Sequence, residues 1–351
     1  MPRKVLITDV VVEPDYEAAV LGDDVTIAVV EEQGEHASDA AYSEAEALMC
    51  YHTLEFDPEV IRKLTSCQII SRVGVGFDNL DLQAAADLGI VVCNVPDYGT
   101  NEVADHAIGL MLAMTRGIPQ INESTRNGAY DFGILGPLPR LWGMKFAVIG
   151  LGRIGTAAAL RAKAFGLDVC FYDPYLSDGV DKSLGMTRYT DLYELANEAD
   201  IISLHAPATV ETRGMVNAKF LAAMKHDAYL INTARGPIVD VDAVGDAMKG
   251  GRLRGVAIDV WPTEPPADEA LMVAWRAREE WTDRLLVTAH AAFYSGAGMR
   301  EIREKAAMEI HRVFTGVTPR NCVNAHLLEH ARVGDAMLGE IKKLSQGPPT
   351  G

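Results

Sequence analysis

The run Lys145-Phe146-Ala147-Val148-Ile149-Gly150-Leu151-Gly152-Arg153-Ile154-Gly155, followed by Thr156 to Phe165 and then Val169-Cys170-Phe171-Tyr172-Asp173, constrains the fold more than any other part of this chain. It reads as strand, glycine turn, helix, strand and acid. The glycines at 150, 152 and 155 have the spacing G-x-G-x-x-G, which permits a tight turn, close backbone approach to a pyrophosphate and close packing of helix on strand. The helix behind them points its N-terminal amides at that pyrophosphate. Asp173 lies 23 residues after Gly150, at the end of the second strand, where a carboxylate accepts hydrogen bonds from an adenosine ribose and repels a 2′-phosphate. A glycine-rich turn without a ligand would account for the glycines alone. With strand, helix, strand and acid all in place, the segment predicts a dinucleotide site that takes NAD.

At 351 residues the chain is long for one core and comfortable for two. It is 48% hydrophobic and 23% charged, as in ordinary globular proteins. No run approaches the ~20 apolar residues of a membrane span. The N-terminus enters an apolar strand at once and lacks the pattern of a signal peptide, so a cytoplasmic location is expected.

A net charge of −17 with 32 basic residues argues against nucleic acid as a partner, because phosphate binding needs a basic face. An anionic substrate must then meet locally placed arginines. The five cysteines form no C-x-x-C pair, and Cys50, Cys93 and Cys170 sit in apolar strand-like runs, as buried reduced thiols do. None of the nine histidines has a partner at metal-ligand spacing, so no metal site is expected.

Apolar runs alternate with helical patterns throughout. Strands are expected at 4–8, 25–30, 47–51, 69–72 and 90–94, with helices such as 57–64 and 82–88 between them. A long apolar-periodic segment, 101–116, reads as a connecting helix. From residue 144 six strands follow, at 144–149, 168–172, 200–204, 228–232, 255–259 and 285–288, separated by helices. The helical segment 298–314 returns the chain to the first domain, and the end of the chain from Leu344 looks frayed. The fold class is thus α/β, two domains with parallel sheets: a doubly wound Rossmann NAD-binding domain at 101–295 and a smaller flavodoxin-like substrate-binding domain at 1–100 and 296–330, with a tail at 331–351.

Three features fall at the ends of successive strands of the second domain, on the edge where open α/β sheets bind ligands. They are Asn232-Thr233-Ala234-Arg235-Gly236, Asp259-Val260-Trp261-Pro262-Thr263-Glu264-Pro265 and Thr288-Ala289-His290-Ala291-Ala292-Phe293-Tyr294. Taken singly, each has a plain structural reading: a surface ion pair, a turn residue, a satisfied structural histidine. Jointly they form a set for reducing a 2-oxo acid. Arg235 can hold a carboxylate and carbonyl through its planar fork of donors. His290 can give a proton to the carbonyl oxygen as hydride arrives, or remove it in reverse, and Glu264 can orient the imidazole and stabilise its charged form. Asp259 is a natural acceptor for the cofactor carboxamide.

These motifs resemble the D-isomer-specific 2-hydroxyacid dehydrogenase family, and within it the branch containing the C-terminal binding proteins. The resemblance runs from about residue 45 to 325. It is carried by Ala47 to Thr53, Arg72-Val73-Gly74-Val75-Gly76-Phe77-Asp78-Asn79, Cys93-Asn94-Val95-Pro96, Arg161 to Gly166, Phe171 to Gly179, Asn232 to Gly236 and His290 to Ser295. The run 172–179 points to the branch. The resemblance implies that Arg235, Glu264 and His290 are catalytic, and that Arg72 and the Val75-Gly76 backbone face the substrate carboxylate from the other domain, with Tyr51 and Phe293 lining the pocket. On sequence alone Arg72 could equally be a strand-end charge paired with an acid, and Val75-Gly76 a turn. Cofactor contacts implied by the family, besides Gly150, Gly152 and Gly155, are Val103, Arg153, Ile154, Asp173, His205, Ala206, Pro207, Thr233, Ala234 and Asp259. The C-terminal binding proteins carry tryptophan where this chain has Phe293, so their preference for bulky thioether oxo acids loses its ground here. The usual proline before the histidine is replaced by Ala289, which affects loop stiffness more than chemistry.

The expectation is an NAD-dependent enzyme that interconverts a small D-2-hydroxy acid and its 2-oxo acid, glyoxylate or hydroxypyruvate leading, and the resemblance implies a homodimer built around the 101–116 helix. Its rival is an NADH-sensing scaffold that recruits partner proteins.

Overall fold

The computed structural model describes residues 2–8, 11, 13–30 and 35–345. The chain divides into two compact units, Met1–Tyr98 with Ser295–Gly351, and Gly99–Tyr294. No helix among the described residues is long and apolar enough to cross a membrane.

In the first unit five strands, β1 (Arg3–Ile7), β2 (Val25–Val29), β3 (Ala47–Cys50), β4 (Ile69–Arg72) and β5 (Val91–Cys93), form a parallel sheet in the order β2-β1-β3-β4-β5. This is the flavodoxin-like order. β3 to β5 are buried along their whole length, which is why they read as continuous apolar runs. The intervening helices start where carboxylates cap them: Asp57 accepts from the Glu59 and Val60 amides and Asp81 from the Ala84 amide. The 19-residue helix Gly296–Phe314 returns to this unit. Its Arg303 meets the fully buried Glu17 on helix Asp15–Leu21 with two hydrogen bonds, 2.7 and 2.6 Å. The segment set apart as a tail holds a further helix, Asp335–Ser345, with Leu338 and Ile341 buried. Most of the frayed end expected from Leu344 onward lies outside the described residues.

The second unit opens with the helix Thr100–Thr115. Its strands are β6 (Lys145–Ile149), β7 (Asp168–Tyr172), β8 (Thr187–Tyr189), β9 (Ile201–Leu204), β10 (Ala228–Asn232), β11 (Leu253–Ile258) and β12 (Leu285–Val287). They form a parallel sheet in the order β12-β11-β10-β9-β6-β7-β8. The apolar runs predict six strands; the seventh, β8, is a three-residue edge strand paired only with β7. Alternation along each strand gives the sheet two cores. Ala147, Ile149, Ile202, Leu204, Leu230 and Ile258 face one, and Phe146, Val148, Phe171, Ile201, Ile231 and Ala257 the other. The order reverses between β6 and β9, so the chain leaves β6 and β9 in opposite directions and opens a crevice at their carboxyl ends.

Candidate active site

The glycine loop sits at that crevice. Gly150 has φ +89°, and a Cβ there would stand 2.7 Å from the Ala206 amide nitrogen, so the loops after β6 and β9 pack backbone to backbone. A side chain at Gly155 would fall on the Gly150 carbonyl oxygen. At Gly152 the space a Cβ would take is open, and no side chain caps the helix Arg153–Ala164 that begins there. The first amides of that helix, Arg153 and Ile154 included, therefore front an open cradle fit for a pyrophosphate. Asp173 follows β7, its Oδ2 accepting from the Leu151 amide at 2.9 Å and its Oδ1 from Tyr175 at 3.0 Å. The carboxylate is thereby fixed against the glycine loop and keeps lone pairs for further donors.

Other predicted cofactor residues stand on the same edge. His205 follows β9, its Nε2 2.8 Å from Ser203 Oγ, and desolvation by burial lowers it to about 4, so the imidazole is neutral near pH 7. Ala206 is buried and Pro207 exposed beside it. Val103 is buried in the first turn of its helix. After β10 the Asn232 side chain accepts from the Ala234 amide and donates to the Arg235 carbonyl, both at 3.0 Å, shaping the Thr233–Arg235 turn. Thr233 Oγ1 is buried without a hydrogen-bond partner among the described residues. A buried orphan hydroxyl costs stability, and at this edge it fits a group that the bound cofactor satisfies.

His290 and Glu264 are brought together from the loops that follow β12 and β11. His290 Nδ1 lies 2.6 Å from Glu264 Oε2, and Glu264 Oε1 accepts from the Trp261 amide at 2.9 Å. His290 takes the left-handed conformation, φ +50°, rare for a residue with a side chain and typical of functional sites that over-determine it. Asp259 does the determining. Its buried carboxylate accepts from Thr288 Oγ1 at 2.5 Å and from the Ala291 and Ala292 amides at 2.9 and 3.0 Å, while its carbonyl accepts from the His290 amide at 2.8 Å. Phe293 stands edge-on to the imidazole, ring centroids 5.9 Å apart. Arg235 follows β10 and donates from Nη1 to the Ala234 carbonyl at 2.8 Å. A side chain at Gly236 would overlap the Trp261–Pro262 backbone, so the arginine turn and the glutamate loop pack directly on one another.

Sequence reasoning missed His106. Its Nε2 lies 3.1 Å from Thr288 Oγ1 and 3.8 Å from Asp259 Oδ1, backing the carboxylate that holds the histidine loop. A lone histidine on an apolar-periodic helix carries no signal of this, since its partner is 182 residues away.

In the first unit Arg72 ends β4, is buried, and donates from Nη1 to the Val73 carbonyl at 2.8 Å. Gly74 leaves the space its guanidinium fills. Val75 and Gly76 follow, half-buried, with the Val75 carbonyl accepting from Asn94 Nδ2 at 2.6 Å. Tyr51 is buried just past β3, its carbonyl accepting from Asn79 Nδ2 at 2.9 Å.

A glycine cradle open to a pyrophosphate, a histidine–carboxylate pair and an arginine after the neighbouring strand thus share one edge of this sheet. The family model "D-isomer specific 2-hydroxyacid dehydrogenase, NAD binding domain" matches residues 108–292, and the chain belongs to that family. It is 36% identical over 295 residues to D-3-phosphoglycerate dehydrogenase of Methanocaldococcus jannaschii, covering 83% of this chain and 54% of that one. It is 30% identical over 331 residues to C-terminal-binding protein 1 of Caenorhabditis elegans, covering 88% and 43%. The chain thus spans about half the length of these relatives. Among solved structures, D-lactate dehydrogenase of Aquifex aeolicus, complexed with NAD and lactic acid, superposes with a TM-score of 0.78 at 28% identity, covering 94% of this chain and 99% of that one. An NADPH-dependent glyoxylate/hydroxypyruvate reductase of Sinorhizobium meliloti, in complex with NADP and malonate, gives 0.80 at 26%, covering 95% and 99%.

Proposed function

We propose that this chain is an NAD-dependent dehydrogenase interconverting a D-2-hydroxy acid and its 2-oxo acid. The observation that carries the reading is the 2.6 Å contact of His290 with Glu264, held one strand from Arg235. Bound NADH supplies the hydride. Arg235 fixes the carboxylate and carbonyl, His290 delivers the proton to the carbonyl oxygen, and Glu264 carries the imidazole's other nitrogen so that Nε2 is the one presented. Asp173 receives the ribose hydroxyls, Thr233 and the glycine-loop amides the rest of the cofactor, and Asp259 the carboxamide side of the site. On the first unit we assign substrate-side roles to Tyr51, Arg72, Val75 and Gly76.

Phe293 offers a flat apolar wall and no donor, which favours a small acid of the glyoxylate or hydroxypyruvate type, as in the Sinorhizobium meliloti relative. We further assign the chain to the cytoplasm as a homodimer. Purified protein should reduce at least one small 2-oxo acid with NADH at about 1 per second or faster. Only trace turnover across a broad panel, together with NADH-driven association with another protein, would replace this reading with its rival, an NADH-sensing recruiting scaffold.

A further inference from the structure

We propose that Cys93 and Cys322, both in the first unit, form a peroxide-sensitive thiol pair that closes to a disulfide and fastens the C-terminal segment to the edge of the sheet. Cys93 is the last residue of β5, and Cys322 stands opposite it across an antiparallel bridge. The flanking bonds are Asn94 amide to Asn321 carbonyl, 3.2 Å, and Val323 amide to Val92 carbonyl, 2.8 Å. That pattern makes the two cysteines a non-hydrogen-bonded pair, the kind whose Cα atoms lie ~4.5 Å apart, inside the ~4.4–6.8 Å range a disulfide spans.

The segment carrying Cys322 is held in register from both sides. Glu309, itself buried, accepts from the Arg320 amide at 2.7 Å. The fully buried Asn324 accepts from the Val92 amide and donates to the Ile90 carbonyl, each at 2.9 Å. The thiols are therefore aligned before any oxidation. They also differ in exposure, so that an oxidant in solvent meets one of them first. Cys322 is partly exposed and lines a cavity of about 530 Å³ with Val323, Ala325, His326, Lys342 and Ser345. Cys93 is buried. A hydrogen bond from Cys93 holds Cys322 below the usual thiol range, and burial pushes Cys93 well above it.

The oxidant is a hydroperoxide reaching Cys322 through the cavity. Cys322 gives up its proton, the thiolate attacks the outer peroxide oxygen, an S–O bond forms as O–O breaks, and the released alkoxide or hydroxide takes up that proton and leaves as alcohol or water. Cys93 sulfur then attacks the sulfenic acid at Cys322. The S–S bond forms as S–O breaks, and the Cys93 proton leaves with the hydroxide as water. Two thiols are oxidised by two electrons and one peroxide bond is reduced.

The test treats the full chain with hydrogen peroxide, alkylates it under denaturing conditions and maps the peptides by mass spectrometry. The expected product is a Cys93–Cys322 cross-link reversed by dithiothreitol, with Cys322 losing its label at least ~10-fold faster than the buried Cys67 or Cys170. In C93S a sulfenic acid at Cys322 should accumulate and react with dimedone; in C322S Cys93 should keep its label. Equal labelling of Cys93 and Cys322 before and after peroxide, or oxidation at Cys67 or Cys170 first, would overturn the proposal. The wild-type map decides it even if a variant fails to fold.

Discussion

The Trp261 amide donates to Glu264 Oε1 at 2.9 Å, which turns Oε2 toward His290. One carboxylate thus ties the backbone at the end of β11 to the imaginary line along which the imidazole must point. Glu264→Gln keeps the shape but can offer Nδ1 only a neutral partner, so kcat should fall at least ~10-fold with little change in NADH affinity. His290→Asn should cost ~10²–10⁴ in kcat. Steady-state kinetics and an NADH titration check both, and a Gln variant with unchanged kcat would remove Glu264 from the mechanism.

Arg235→Lys should lower kcat/KM for the 2-oxo acid by at least ~10-fold, about 1.4 kcal/mol, because a point charge cannot reproduce a two-pronged contact. The loss should fall on the acid and spare NADH binding. Kinetics close to wild type would show that the guanidinium serves the turn it caps and not the substrate.

Asp173→Ala should weaken NADH and narrow its advantage over NADPH. The same change removes the acceptor for the Leu151 and Tyr175 amides, so Asp173→Asn, which keeps an acceptor but no charge, is the sharper probe. A kcat/KM ratio for the two cofactors that stays put in both variants would count against the ribose assignment.

The ion pair of Glu17 and Arg303 makes a stability prediction. Arg303→Met leaves Glu17, fully buried, without its guanidinium and should destabilise the first unit by ~3–5 kcal/mol, whereas replacing both partners with apolar residues should recover much of the loss. Urea unfolding of the single and double variants measures the difference.

His205 sets an acid limb. Its folded value of about 4 lies below the ordinary 6.5, so between those values the unfolded chain takes up a proton that the folded chain refuses. The stabilisation is full above about pH 6.5 and is lost as pH falls toward 4. His205→Gln should flatten stability across that window by on the order of 1–2 kcal/mol, allowing for the side chain's partial exposure. An unchanged pH slope would refute the assignment.

Much of this was legible because central parallel strands are buried on both faces and announce themselves as apolar runs, as Ala47–Cys50 and Ile201–Leu204 do. The glycine loop was legible because its glycines have no substitute: Gly155 and Gly150 leave no room for a side chain. β8 was not, because Thr187-Arg188-Tyr189 lies at the sheet edge, is only half-buried and is too short to show a period. His106, Thr288 and Asp259 come together only when β11, β12 and the Thr100–Thr115 helix pack, and spacing along the chain holds no record of that. The pairing of Cys93 with Cys322 escaped for the same reason, since 229 positions separate them.

Asp259 grips its loop by the main-chain amides of Ala291 and Ala292 and the hydroxyl of Thr288, and apart from that hydroxyl these handles do not depend on which side chains the loop bears. The imidazole of His290 and the ring of Phe293 therefore hang from one backbone bracket. Exchanging the aromatic at 293 for a larger or smaller one can retune which acids are accepted without relocating the imidazole. On the function proposed above, selectivity and proton transfer are then separately adjustable although both hang on a single clip.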